Sequence, residues 1–152
     1  MITPSVSKFV IGISFVLACV TCAIVVFWTV QASTSPIEFF GSFGVDSNEQ
    51  RRDVFKPGDT LYAHRDFLQK RSIPAKVFRS IVDEDTHAVV KRYEIVGELY
   101  AVGEHHNSFA IQLPPDIQDG RYSYRVELVY PVNPLRPDIG VFLPPIYFTV
   151  KR

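Results

Sequence analysis

Residues 121–130 read RYSYRVELVY, and the parity of this run decides the fold class. In an extended chain Tyr122, Tyr124, Val126, Leu128 and Tyr130 share one face, while Arg121, Ser123, Arg125 and Glu127 share the other. The alternation predicts a strand with one buried face and one wet face. Phe109, Ile111 and Leu113 repeat the pattern within 108–113, and Ile146, Phe148 and Val150 repeat it near the C-terminus against Tyr147 and Thr149. Less regular runs at 37–43, 60–68, 75–82, 88–95 and 98–102 bring the expectation to about seven or eight strands. Turn chemistry separates them at Lys56-Pro57-Gly58-Asp59, at Asp83-Glu84-Asp85, over 104–107 and at Asp119-Gly120. Short strands without a convincing amphipathic helix predict an all-β, antiparallel sandwich over 37–152.

Ahead of that domain the chain changes character. Phe9 to Val30, FVIGISFVLACVTCAIVVFWTV, is uncharged. As a helix rising about 1.5 Å per residue, it has the length to cross a hydrocarbon layer of about 30 Å. The reading is therefore a cytoplasmic N-terminus over 1–8, a transmembrane helix over 9–30, a polar linker QASTSP over 31–36, and a β domain beyond it. Lys8 precedes the run and no Lys or Arg follows until Arg51, so the cation bias predicts N-in topology. That places the protein as a single-pass signal-anchor protein of the inner (cytoplasmic) membrane, with a periplasmic or extracellular domain and the bilayer as a partner. Trp28 suits the outer interface. Two alternatives are cleavage as a secretory signal and lipidation at Cys19, because Val16-Leu17-Ala18-Cys19 resembles a bacterial lipobox. Cys19 and Cys22 could also pack against another helix or simply fill the apolar run.

Composition narrows the function. Cations and anions balance at 16 each, and Lys8 is the single cation ahead of the domain, so the domain is acidic by one charge. No basic stripe invites nucleic acid. Both cysteines fall in the apolar run, so stability must come from core burial without disulfides.

Leu113-Pro114-Pro115-Asp116-Ile117-Gln118-Asp119-Gly120-Arg121-Tyr122 resembles the corner before the penultimate strand of immunoglobulin-like and fibronectin-like domains. The resemblance implies that Tyr122 is the corner tyrosine, bonding back to the preceding loop. Pro57-Gly58-Asp59-Thr60-Leu61 looks like the turn that opens a core strand in bacterial domains of this kind. The resemblance implies an immunoglobulin-like sandwich of about seven strands, without the Cys, Trp, Cys hallmark of antibody domains. Together with the N-terminal run, it also looks like small envelope proteins of bacteria and bacteriophages. A fold of this sort implies no particular activity.

Catalytic signatures are not evident. A metal site would need several ligands converging from His64, His87, His105 and His106, and adjacent His105 and His106 face opposite ways in an extended chain. Asp83-Glu84-Asp85 lacks the spacing of a helix-loop-helix calcium loop and reads as a charged hairpin tip. Ser5 and Lys8 match S-x-x-K but lie outside the β domain. The expectation is a noncatalytic protein with no cofactor or metal.

Residues 131–145, PVNPLRPDIGVFLPP, combine five prolines with Leu135, Ile139, Val141, Phe142 and Leu143. Proline presets an extended ridge and removes backbone donors. Leu135, Arg136, Ile139 and Phe142 are the expected contacts for an envelope protein partner. Alternatively these apolar residues cap the core and the prolines protect an edge strand. Phe39, Phe40 and Phe43 carry the same two readings. A second functional class is recognition of an extended peptide or glycan on a sheet face, with Tyr147 and either Tyr62 or Tyr93 as aromatic contacts. A phage exclusion or lysis role would build on the first class.

Overall fold

The computed structural model describes residues 4–31, 35–46, 48–131 and 138–152, with helix side chains described from 12 to 27. The chain forms two units, Met1–Thr34 and Ser35–Arg152. The first is the helix α1, Pro4–Gln31. Its described side chains are exposed, Cys19 and Cys22 among them, and the Thr21 hydroxyl donates to the Leu17 carbonyl at 2.8 Å. Among the described residues no helix is long and apolar enough to cross a membrane. This corrects the expected transmembrane helix over 9–30, together with the signal-anchor topology and inner-membrane location built on it. Lys8 and Trp28 lie outside the described side chains.

The second unit contains ten strands among its described residues: β1 Ile37–Val45, β2 Val54–Phe55, β3 Thr60–Gln69, β4 Ala75–Asp83, β5 Val89–Arg92, β6 Val96–Glu98, β7 Gly103–Gln112, β8 Gly120–Tyr130, β9 Ile139–Phe142 and β10 Ile146–Val150. One sheet is antiparallel with order β1-β3-β7. The other runs β2-β10-β8-β4-β5, with β6 beside β4 and β9 beside β8. Here β2 pairs parallel to β10, so this sheet is mixed. The expected all-antiparallel immunoglobulin-like sandwich of about seven strands is corrected on both counts.

The cause of the mixing lies between β1 and β2. Asp46 Oδ1 accepts from the N–H groups of Asn48 at 2.8 Å and Gln50 at 3.2 Å, Glu49 takes a positive φ of 60°, and Val45 bridges to Arg51. This turn carries the chain from one sheet to the other. There the Thr149 N–H donates to the Asp53 carbonyl at 2.7 Å and the Lys151 N–H to the Phe55 carbonyl at 3.0 Å. Pro144 and Pro145 fall between β9 and β10, dividing the last strand in two along one edge of β8, as the missing proline donors require.

The two sheets share one core. From β8 it takes Tyr122, Tyr124, Val126, Leu128 and Tyr130, the five positions set by parity, and facing them are Leu61, Ala63 and Phe67 of β3 and Ile111 of β7. Tyr122 stacks on Phe148, and its hydroxyl donates to the Gln118 carbonyl at 2.9 Å. Phe39 packs against the core and Phe43 stacks on His64, while Phe40, at the irregularity in the β1–β3 register, is exposed. Two local expectations are corrected. Residues 104–107 are not a turn but part of β7, where His105 stacks on Phe67 and His106 Nδ1 meets Asp66 Oδ1 at 2.8 Å. The strand expected over 98–102 is instead Val96–Glu98, three residues long.

At Gly44 β1 leaves no room for a side chain. A Cβ there would stand 2.7 Å from Leu61 Cδ1 and 3.2 Å from Ile146 Cγ2, and Leu61 is fully buried. Gly44→Ala is therefore expected to destabilise the unit by about 1–3 kcal/mol through overpacking, read from the midpoint of urea unfolding.

The β4–β5 tip is held by its own acids. Asp83 Oδ1 accepts from the Asp85 and Thr86 N–H groups, both at 2.8 Å, and Arg121 pairs with Asp85 at 2.6 Å. Glu84 accepts from the Ser123 hydroxyl and from Arg125 Nη2. The Ser123 hydroxyl, then Arg125, hold the Glu84 carboxyl below its usual range. A depressed folded-state pKa contributes stability that is present above the unfolded value and lost as pH falls through the folded one. Glu84→Gln is accordingly expected to flatten the loss of stability below about pH 4.5, measured by urea titration across that range.

Candidate interaction surface

The outer face of the mixed sheet carries the chemistry. Strand parity places Tyr124 and Val126 inward, and so sends Arg125 and Glu127 outward; on β4 it sends Phe78 and Ser80 the same way. Register then lines up Phe78, Glu127 and Phe142 as one cross-strand row, with Ser80 opposite Arg125 and Tyr147 opposite Ser123. Around this row lies a groove of about 850 Å3, lined further by Val89, Arg92, Tyr93, Ile95 and Pro145. Phe142 is 76% exposed and Tyr147 61%, and Ile95, Val89 and Phe78 are also exposed apolar residues. Large apolar side chains grouped in a concavity mark interaction sites far better than the same residues scattered singly.

The groove's charge is lopsided. Arg92 and Arg125 line it against Glu127. Arg125 is partly neutralised by Glu84 at 2.9 Å, and the charge of Arg79 acts on the Tyr124 hydroxyl. The Tyr93 hydroxyl donates to the Gln112 carbonyl at 3.0 Å, and burial pushes it up to about 12, so it remains a neutral donor at all physiological pH.

Of the contact residues read from sequence, Phe142 belongs to this groove. Ile139 is half-buried and packs against the core, and Leu135 and Arg136 lie outside the described residues. Tyr147 and Tyr93 line the same groove, whereas Tyr62 stands on β3 in the other sheet. Phe78, Arg92 and Ile95 were not singled out by sequence. Phe78 was nonetheless readable, since its parity opposes that of Val77 and therefore points away from the core.

The antiparallel sheet brings together a serine and a histidine. Ser108 Oγ lies 3.3 Å from His64 Nε2 on an exposed face. In a Ser-His-acid arrangement a carboxylate orients the base. The nearby carboxylate, Asp66, is bonded instead to His106. Among the described residues no group of three or more His, Cys, Asp or Glu is placed to hold a metal.

No family model matches the chain, and no curated protein matches it. Among solved structures, the sporulation control protein Spo0M from Bacillus subtilis is similar over 78% of this chain and 51% of its own, with 14% identity and a TM-score of 0.42. This chain thus spans about half the length of that structure.

Proposed function

We propose that this chain is a noncatalytic interaction protein that holds an extended segment of a protein partner in the groove of its mixed sheet. The observation that carries the reading is the exposed pair Phe78 and Phe142 of one cross-strand row, with Tyr147 in the same groove, set beside Arg92 and Arg125. Aromatic and arginine side chains dominate the energetics of protein interfaces because each removes a large area from water while retaining a directed polar or cationic contact. A segment alternating apolar and acidic residues meets both demands: apolar side chains fill the spaces between the aromatics, and carboxylates face the guanidinium groups, which bind them bidentately.

The test is selection from a display library of random linear peptides against the full chain. The expected result is enrichment of sequences that alternate apolar and acidic residues, displaced by salt and lost with Arg92→Glu. Enrichment of basic sequences, or of the same sequences by the Arg92→Glu chain, would overturn the assignment. Selective retention on glycan arrays, with no peptide enriched, would favour the aromatic row as a sugar platform instead.

A further inference from the structure

Arg65 lies on the inward face of β3, between Ala63 and Phe67, and is 3% exposed. Its Nε, Nη1 and Nη2 are all buried without a hydrogen-bond partner, and its Cζ stands 5.7 Å above the Tyr124 ring. Burial holds the guanidinium down to about 10, which still leaves it charged at neutral pH. A buried charge with its donors unmade is among the most costly arrangements a core can contain. The guanidinium borders a cavity of about 30 Å3 between the sheets. Apolar side chains, Phe39 and Leu128 among them, form most of its wall, and half-buried Arg79, Glu98 and Tyr100 complete it. Arg79 Nε is likewise buried without a partner, and the Glu98 carboxylate accepts from the Tyr100 hydroxyl. Two guanidinium groups against one carboxylate leave the wall with a single positive charge.

We propose that this inter-sheet cavity binds a small monocarboxylate, of formate size, whose two oxygens take the fork of Arg65. Charge selects a monoanion. The volume selects a group of about two or three heavy atoms, since a cavity of about 10–15 Å3 on this measure already holds one water. The planar, weakly hydrated guanidinium matches a carboxylate in bidentate geometry better than it matches a spherical halide. The apolar wall accommodates the remaining C–H group.

The test follows the Arg65 Nε–H resonance in 15N-labelled full chain during titration with sodium formate. Sodium chloride holds ionic strength constant, and Arg65→Met assigns the peak. A saturable shift of that one resonance is expected, accompanied by a Tm rise of several degrees that Arg65→Met does not show. Should Arg65→Met fail to fold, the wild-type titration still decides: the peak is then the arginine resonance that saturates while those of exposed arginines drift linearly. Three outcomes overturn the proposal. They are a linear or absent response, equal saturation by chloride alone, and an Arg65 resonance that formate moves only in a Glu98→Gln chain. The last would make Glu98 the counter-ion.

Discussion

Phe142→Asp is expected to abolish selection of acidic-apolar peptides by the groove while leaving the unfolding midpoint of the β unit nearly unchanged. The separation follows from exposure. Phe142 is 76% exposed at the end of β9, so its removal takes little area out of the core. Its register partner Glu127 faces the same groove, so an aspartate there adds a second carboxylate beside the first. A segment that docks by its own carboxylates then loses an aromatic contact and meets repulsion as well. Hot-spot aromatics contribute about 2–4 kcal/mol, so the affinity of a selected peptide should fall roughly thirty-fold or more. Phe142→Ala separates the two effects, since it removes the ring without the charge and should retain more of the binding. The decisive pair of measurements is isothermal titration of a selected peptide and urea unfolding of the same preparations. A Phe142→Asp chain that binds as well as the parent would remove the groove from consideration. One that unfolds several kcal/mol earlier would make Phe142 part of the core.

What the sequence disclosed follows from what alternation can encode. Parity assigns a residue to a face, and for 121–130 every inward position was legible and is buried. The run over 60–68 read as weaker because Arg65 occupies an inward position where an apolar residue is expected, although Leu61, Ala63 and Phe67 already fixed the phase. The most unusual core residue was thus visible as an interruption of the pattern. Parity does not say which strand lies alongside which. The parallel pairing of β2 with β10 depends on a turn built around the Asp46 carboxylate, and four polar residues at 104–107 look like a loop although the outer face of β7 is wet. Proline content drew attention to the stretch before β10, and Phe142 in it lines the groove. The groove as a whole was out of reach because it needs the register of Phe78 against Glu127 and of Glu127 against Phe142. At the N-terminus, apolar length counted along the chain led to a spanning helix that no described helix supplies.

Tyr124→Ala is the substitution expected to cost the fold most. Tyr124 is 1% exposed at the centre of β8, with Ile81 and Ile146 as its register partners on either side. Removing a buried aromatic ring costs about 3–5 kcal/mol, through lost burial and the cavity left behind. That is a large part of the roughly 5–15 kcal/mol margin of a typical domain. Two further terms act in the same direction here. The Arg79 side chain loses the phenol hydroxyl its charge acts on, and the Arg65 guanidinium loses the ring 5.7 Å beneath it. Tyr124→Phe isolates the first and should cost no more than about 1 kcal/mol, since it removes a single polar group and keeps the ring. The second is read from a double-mutant cycle. Once Arg65→Met has removed the cation, Tyr124→Ala should cost less than it does in the parent chain, by about 0.5–2 kcal/mol if the ring stabilises a desolvated guanidinium. Urea unfolding of the four chains gives that coupling directly. Additive costs would mean that the ring contributes only its area, and the charge of Arg65 would then have to be met wholly from the cavity side.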